Sequence, residues 1–180
     1  MLALSEIEMG FSQIRLRWSI YCDLFNDENT VSLLNRSGSS VFALLQRLLV
    51  NDTIQALCRI TDPEESCNKE NNSLRNHFEK VRSTLEAREI AEIEGLLAEL
   101  DAKMADLKTI RNKVLSHSDL ALAKKSATYP DVKYDDIEKS IYIVSCVLNS
   151  LFSSIGNYMP VSTGNVFILL ETLKRGQGNG

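Results

Sequence analysis

Apolar residues along this chain recur at steps of three and four, the spacing of one face of an α-helix. Ile7, Phe11, Ile14, Trp18, Tyr21 and Phe25 form the first run, an amphipathic helix with a coiled-coil-like seam, broken by Asn26-Asp27-Glu28-Asn29. A second helical region runs from about Val31 to Thr61, with Val41, Leu45 and Leu48 on one face and Val50, Ile54 and Leu57 drifting around it. Pro63 disfavours helix at the residue before it, so this segment stops near Asp62, and Glu64 to Asn72 reads as a polar loop. Asn72-Ser73-Leu74 opens a short third helix ending near Thr84. The fourth runs from about Ala87 to His117, on the stripe Ile90, Ile93, Leu97, Leu100, Met104, Leu107, Arg111 and Val114. Ser126 to Pro130 is a loop. Tyr134 or Asp135 opens a fifth helix on Ile137, Ile141, Val144, Leu148, Leu151, Ile155 and Tyr158, broken from Pro160 to Gly164. Val166 to Lys174 forms a last short helix.

Alternation with a period of two is nowhere sustained, so strands are not expected. The prediction is an all-α fold, an up-and-down helical bundle of four long helices plus short ones. Residues 1–175 read as a single domain and the glycine-rich residues 176–180 as a flexible tail. Long apolar seams also suit a homodimer.

Charge narrows the functional classes. A net charge of −4 argues against strong non-specific nucleic-acid binding, which needs many phosphate contacts. Locally the balance reverses: Lys103 to Lys125 holds six basic residues against Asp106 and Asp119. Cys22, Cys58, Cys67 and Cys146 are scattered without a CxxC pair. With only His77 and His117 beside them, they give no zinc spacing. No metal and no cofactor are therefore expected. Three of the thiols fall on apparent helix cores and read as reduced cytosolic cysteines. The start Met1-Leu2-Ala3-Leu4 meets polar residues at once, so no signal peptide is expected. No apolar run approaches membrane-spanning length, and the expected placement is cytoplasmic, with no membrane partner.

Candidate chemistry concentrates at Arg111-Asn112-Lys113-Val114-Leu115-Ser116-His117-Ser118-Asp119. Arg111 is the one charged residue on the fourth helix's apolar stripe, and a buried guanidinium needs a partner or a cleft. At about 100° per residue, His117 falls about 120° around an ideal helix from it. The two side chains would flank one phosphate, with Asn112 and Ser116 on an adjacent face to orient them. A histidine near neutral pKa can move a proton at the 2′-hydroxyl or the leaving oxygen of RNA. An arginine can bind the phosphate and stabilise its developing charge. The alternative is structural: a histidine capping a helix end and an arginine paired to a buried carboxylate. Register points to Asp52 as that carboxylate. Arg59 and Asp62 form either a local pair or a second cluster aimed at Arg111. His77 reads as structural or exposed, Trp18, Tyr21 and Tyr158 read as structural, and no Cys or Ser nucleophile stands in pattern with His117.

Arg111, followed by Asn112 and by His117, resembles the R-x4–6-H motif of HEPN-domain proteins. The run Leu57-Cys58-Arg59-Ile60-Thr61-Asp62-Pro63, the later Asn72-Ser73-Leu74 and the Arg111–Asp119 segment are similar to the HEPN-like domain of the abortive-infection U type. The resemblance spans roughly Tyr21 to Tyr158. It implies a dimer with two Arg–His motifs at a shared cleft, cutting RNA without metal as a toxin-like effector of phage defence. His117 would be the acid/base group, Arg111 the phosphate binder and Asn112 the polar residue beside it. Lys113, Ser116, Asp119, Arg59 and Asp62 would support them. RNA and an antitoxin or defence-system protein are the implied partners. The rival reading is a non-catalytic helical module for dimerisation, partner binding or nucleotide binding. No tyrosine lies close after His117, so the modified tyrosine of some HEPN toxins has no counterpart here.

Overall fold

The computed structural model describes residues 2–115, 131–152 and 163–178. The fold is all-α. Helix α1 covers Leu2–Phe25 and α2 covers Glu28–Ile60; next in the chain is a two-residue ladder, β1 (Glu65–Ser66) against β2 (Lys69–Glu70). Then come α3 (Leu74–Val81), a 3-10 turn (Arg82–Thr84), α4 (Ala87–Ile110) and a π turn (Arg111–Leu115). Helices α5 (Tyr134–Leu151) and α6 (Gly164–Gly178) complete the described chain. Residues Ser116, His117 and Asp119, the Ser126–Pro130 loop, Ile155, Tyr158 and the Pro160 break lie outside the described residues.

Local chemistry sets the helix ends. The Asp27 carboxylate accepts from the Thr30 backbone N–H at 2.7 Å and from its hydroxyl at 2.9 Å, starting α2 just after the predicted break. The Thr30 backbone bond is the main cause that holds the Asp27 carboxyl below its usual range. Ser73 caps α3 through the Asn76 N–H. Glu86 and Glu89 form a reciprocal capping box at the start of α4.

Two compact units divide the chain. One comprises residues 1–11 and 54–158, and within it α3 and α4 both pack on α5. Its core holds Ile54, Leu57, Leu74, Phe78 and the α4 stripe Ile93, Leu97, Leu100, Met104 and Leu107. From α5 come Ile137, Val144, Val147, Leu148 and Leu151. The other unit comprises residues 12–53 and 159–180. There Leu24, Leu34 and Val166 form a cluster flanked by Ile20, Phe25, Phe42, Leu45, Leu170 and Leu173. Trp18 and Tyr21 are buried and stacked, with ring centroids 4.8 Å apart.

Four sequence expectations need correction. Helix α2 is interrupted at Gly38, whose φ of 171° and ψ of 65° are not helical. The Ser37 hydroxyl bonds back to the Leu33 carbonyl at 2.8 Å, and such serine–glycine steps bend helices. Past the kink the apolar phase changes, and Val41 and Leu48, read as one packed face with Leu45, are 67% and 53% exposed. The polar loop contains a short antiparallel ladder, turned by Cys67 and Asn68 at positive φ (51° and 59°). Taken across its kink, α2 is long and apolar enough by length and composition to cross a membrane, although no such run was expected. Among the described residues it is the one helix of which this holds, and 33% of its most apolar window is buried. Finally, the last helix, expected from Val166 to Lys174, covers Gly164–Gly178. The Gln177 amide holds it there, donating to Ser37 Oγ at 2.8 Å and accepting from Arg36 Nε at 3.2 Å.

Candidate functional site

The C-terminal ends of α2 and α4 meet around Arg111. Its backbone N–H bonds to the Leu107 and Lys108 carbonyls, so it closes α4 and opens the π turn. π turns occur mostly as single-turn interruptions of helices, often at functional sites. Arg111 Nη1 donates to Asp62 Oδ1 at 2.9 Å, and Nε donates to Asn112 Oδ1 at 2.9 Å. The two side chains of the ion pair are 23% and 25% exposed, so the pair is neither buried nor free in water. A guanidinium carries five N–H donors, and these bonds use two. Among the described residues nothing bonds Nη2.

Beside this pair, Lys108 Nζ reaches the Thr61 carbonyl at 3.2 Å and Asp101 Oδ1 at 3.5 Å. Asp101 also takes Arg75 at 2.5 Å. The Thr61 hydroxyl turns inward to the Leu57 carbonyl at 2.9 Å, one helical turn back. Cys58 is fully buried there. Its thiol is pushed up to about 11, chiefly by burial, with the Arg111 charge opposing and the Asp62 charge adding. A thiol this buried and this protonated is no nucleophile near neutral pH.

The arginine's carboxylate is therefore Asp62, and the register-based choice of Asp52 is wrong: Asp52 Oδ2 takes Arg17 Nε at 2.5 Å. The local Arg59–Asp62 pair does not form. Asp62 turns to Arg111, while Arg59 is exposed and has no ion pair among the described residues. Asn112 and Lys113 are exposed at the π turn. Of the predicted cluster, then, Arg111, Asn112 and Asp62 come together, whereas Ser116, His117 and Asp119 lie outside the described residues. His77 is buried: Nε2 lies 2.7 Å from Asn72 Oδ1 and the ring stands edge-on to Phe152 at 6.3 Å. That is a structural role.

Sequence reasoning missed the contacts behind Asp62. Asn71 Nδ2 and Ser73 Oγ both donate to the Pro63 carbonyl, at 2.8 and 3.3 Å. Asparagine and serine before a helix favour local side-chain bonds to backbone, which was the available signal.

The described residues thus form an all-helical domain in which a long helix, α4, ends in an arginine at a π turn. The HEPN_AbiU2 family model, described as AbiU2, matches residues 3–150, and the chain belongs to this family of HEPN-like abortive-infection U domains. No curated protein and no solved structure matches it significantly.

Proposed function

We propose that this domain is a metal-independent endoribonuclease acting as a toxin-like effector of phage defence in the cytoplasm. The observation that carries the reading is the state of Arg111. Two polar neighbours hold it, Nη2 has no bond among the described residues, and it stands beside the turn that leads to His117. A phosphate approaching Nη2 would meet a guanidinium already oriented. In the reaction the RNA 2′-oxygen attacks the adjacent phosphorus and the bond to the 5′-oxygen breaks. The products are a cyclic phosphate and a 5′-hydroxyl. His117 moves a proton at one of these oxygens, and Arg111 stabilises the charge on the phosphoryl oxygens. Asn112 fixes Nε, and Lys113, Ser116, Asp119, Arg59 and Asp62 support the site.

A second copy of the chain would supply the other half of the cleft. The exposed apolar residues Val41, Leu44 and Leu48 on α2 support such an interface, as do Phe167 and Ile168 on α6. An antitoxin or another defence protein would keep the site silent until infection.

The test is cleavage of total RNA by purified protein in EDTA. His117→Ala, folded and of unchanged mass, should lose about 10²–10⁴-fold in rate. Arg111→Ala should lose about 10²–10³-fold. Unchanged cleavage in both variants would show that the activity comes from elsewhere.

One observation favours a second reading, a non-catalytic module for dimerisation, partner binding or nucleotide binding. The Asp62 carboxylate already compensates Arg111, as a purely structural arginine would require. On that reading, RNA stays intact with every variant, and Arg111→Ala lowers the melting temperature or dissociates the dimer.

A further inference from the structure

Asp62 lies two residues past the end of α2, where helical bonding no longer fixes the chain. One weak turn remains behind it, from its N–H to the Arg59 carbonyl at 3.3 Å. The constraint comes from the other side. The Pro63 carbonyl accepts from both Asn71 Nδ2 (2.8 Å) and Ser73 Oγ (3.3 Å). The Asn71 N–H donates to the Glu64 carbonyl at 2.8 Å, and Nδ2 also reaches Ser66 Oγ at 2.5 Å. Asn76 Nδ2 adds a bond to the Glu64 carbonyl at 3.3 Å. Ser73 is fully buried and caps α3, whose Leu74 and Phe78 sit in the core. Proline fixes its own φ, so few torsions remain between the braced Pro63 carbonyl and the Asp62 carboxylate.

We propose that Asn71, with Ser73, is a positioning residue for the phosphate-binding arginine. It acts through the Pro63 carbonyl and the Asp62 carboxylate on the Arg111 guanidinium. The hairpin between α2 and α3 is thus a brace for the site: the core-anchored start of α3 is transmitted to an arginine far along the chain. Its catalytic consequence rests on the ribonuclease reading; the mechanical link does not. A misplacement of about 1 Å at a reacting group can cost about 10²-fold in rate, so a partial loosening should be visible.

The experiment uses the full chain and Asn71→Ala, which removes the donor without altering Arg111 or Asp62. The Arg111 Nη1–H donated to Asp62 is observed by 15N NMR at low temperature, assigned by its loss in Arg111→Lys, and its exchange with water is measured. Cleavage of total RNA in EDTA is measured in parallel. Asn71→Ala should speed Arg111 Nη1–H exchange at least about threefold and lower kcat about tenfold, with KM within about twofold. The Arg36 Nε–H, bonded to Gln177, serves as control and should not change. Ser73→Thr, which keeps the hydroxyl, should behave as wild type. Unchanged Arg111 exchange in folded Asn71→Ala overturns the proposal, as does faster exchange with unchanged kcat. If the wild-type protein leaves RNA intact, the ribonuclease reading fails alone, and the exchange rates still decide whether the brace holds the arginine.

Discussion

Arg111 Nη1 and Asp62 Oδ1 stand 2.9 Å apart, across 49 residues of sequence, and tie the end of α4 to the segment leaving α2. Beside it, Lys108 Nζ donates to the Thr61 carbonyl, one residue past the end of α2, where a cation offsets the partial negative charge of the helix end.

That pair should show as a coupling energy. Asp62→Ala and Arg111→Met should each destabilise the fold, and the double variant should fall short of their sum by about 0.5–1.5 kcal/mol. Asp52→Asn combined with Arg111→Met should instead be additive within about 0.5 kcal/mol, because the partner of Asp52 is Arg17. Urea unfolding of these variants beside the wild type measures both. A coupling indistinguishable from zero at Asp62 would mean that the contact adds nothing in solution.

Stability should fall on mild acidification, in part through His77. Burial lowers its pKa below the ordinary 6.5, with the Lys80 charge adding to the effect. The unfolded chain then binds the proton at a higher pH than the fold does. The stabilisation is fully present above about 6.5 and is lost as pH falls through the lower, folded value. Comparing urea midpoints at about pH 7.5 and about pH 5.5, wild type should lose more than His77→Gln. An equal loss in both would place the titrating group elsewhere.

The hairpin turn can be improved. Cys67 and Asn68 both hold positive φ, as a two-residue type I′ turn demands, and neither is glycine. Cys67→Asn with Asn68→Gly installs the preferred pair and should add about 1 kcal/mol, raising Tm by about 2–4 °C. A Tm at or below wild type by calorimetry would count against this turn geometry.

The proposed dimer should depend on the exposed apolar residues of α2. Leu44→Asp with Leu48→Asp replaces residues that are 47% and 53% exposed, so Tm should move little. Sedimentation should shift from twice the chain mass to the single chain. A double variant that stays at the wild-type mass would place the interface on another surface.

Much of the fold was legible because helices are local. The stripe Ile93, Leu97, Leu100, Met104, Leu107 is buried as its spacing predicts, and Ser73 starts α3 where its sequence signal lies. Phase failed where the helix itself failed. The Gly38 kink resets the register, so positions counted from Val31 misplace Val41 and Leu48. The carboxylate partner of Arg111 was missed for a related reason. Asp52 sits on a helix and has a countable angle, whereas Asp62 lies in a turn shaped by bonds from Asn71 and Ser73. Side-chain bonds to a distant carbonyl carry no periodicity. That Arg111 needed some acidic partner was readable from its place on the stripe; which one was not.

The π turn at Arg111–Leu115 lies where chain length can change without disturbing the core. An i→i+5 turn holds one residue more than an α turn in the same advance, so it is a natural place for length to change. Five residues separate Arg111 from His117 in this chain. A residue gained or lost in the turn re-aims the chain beyond it, while the packed stripe from Ile93 to Leu107 stays in register. The turn works as a slip joint: a change of length there is taken up locally, and the helix behind it goes on answering to the core.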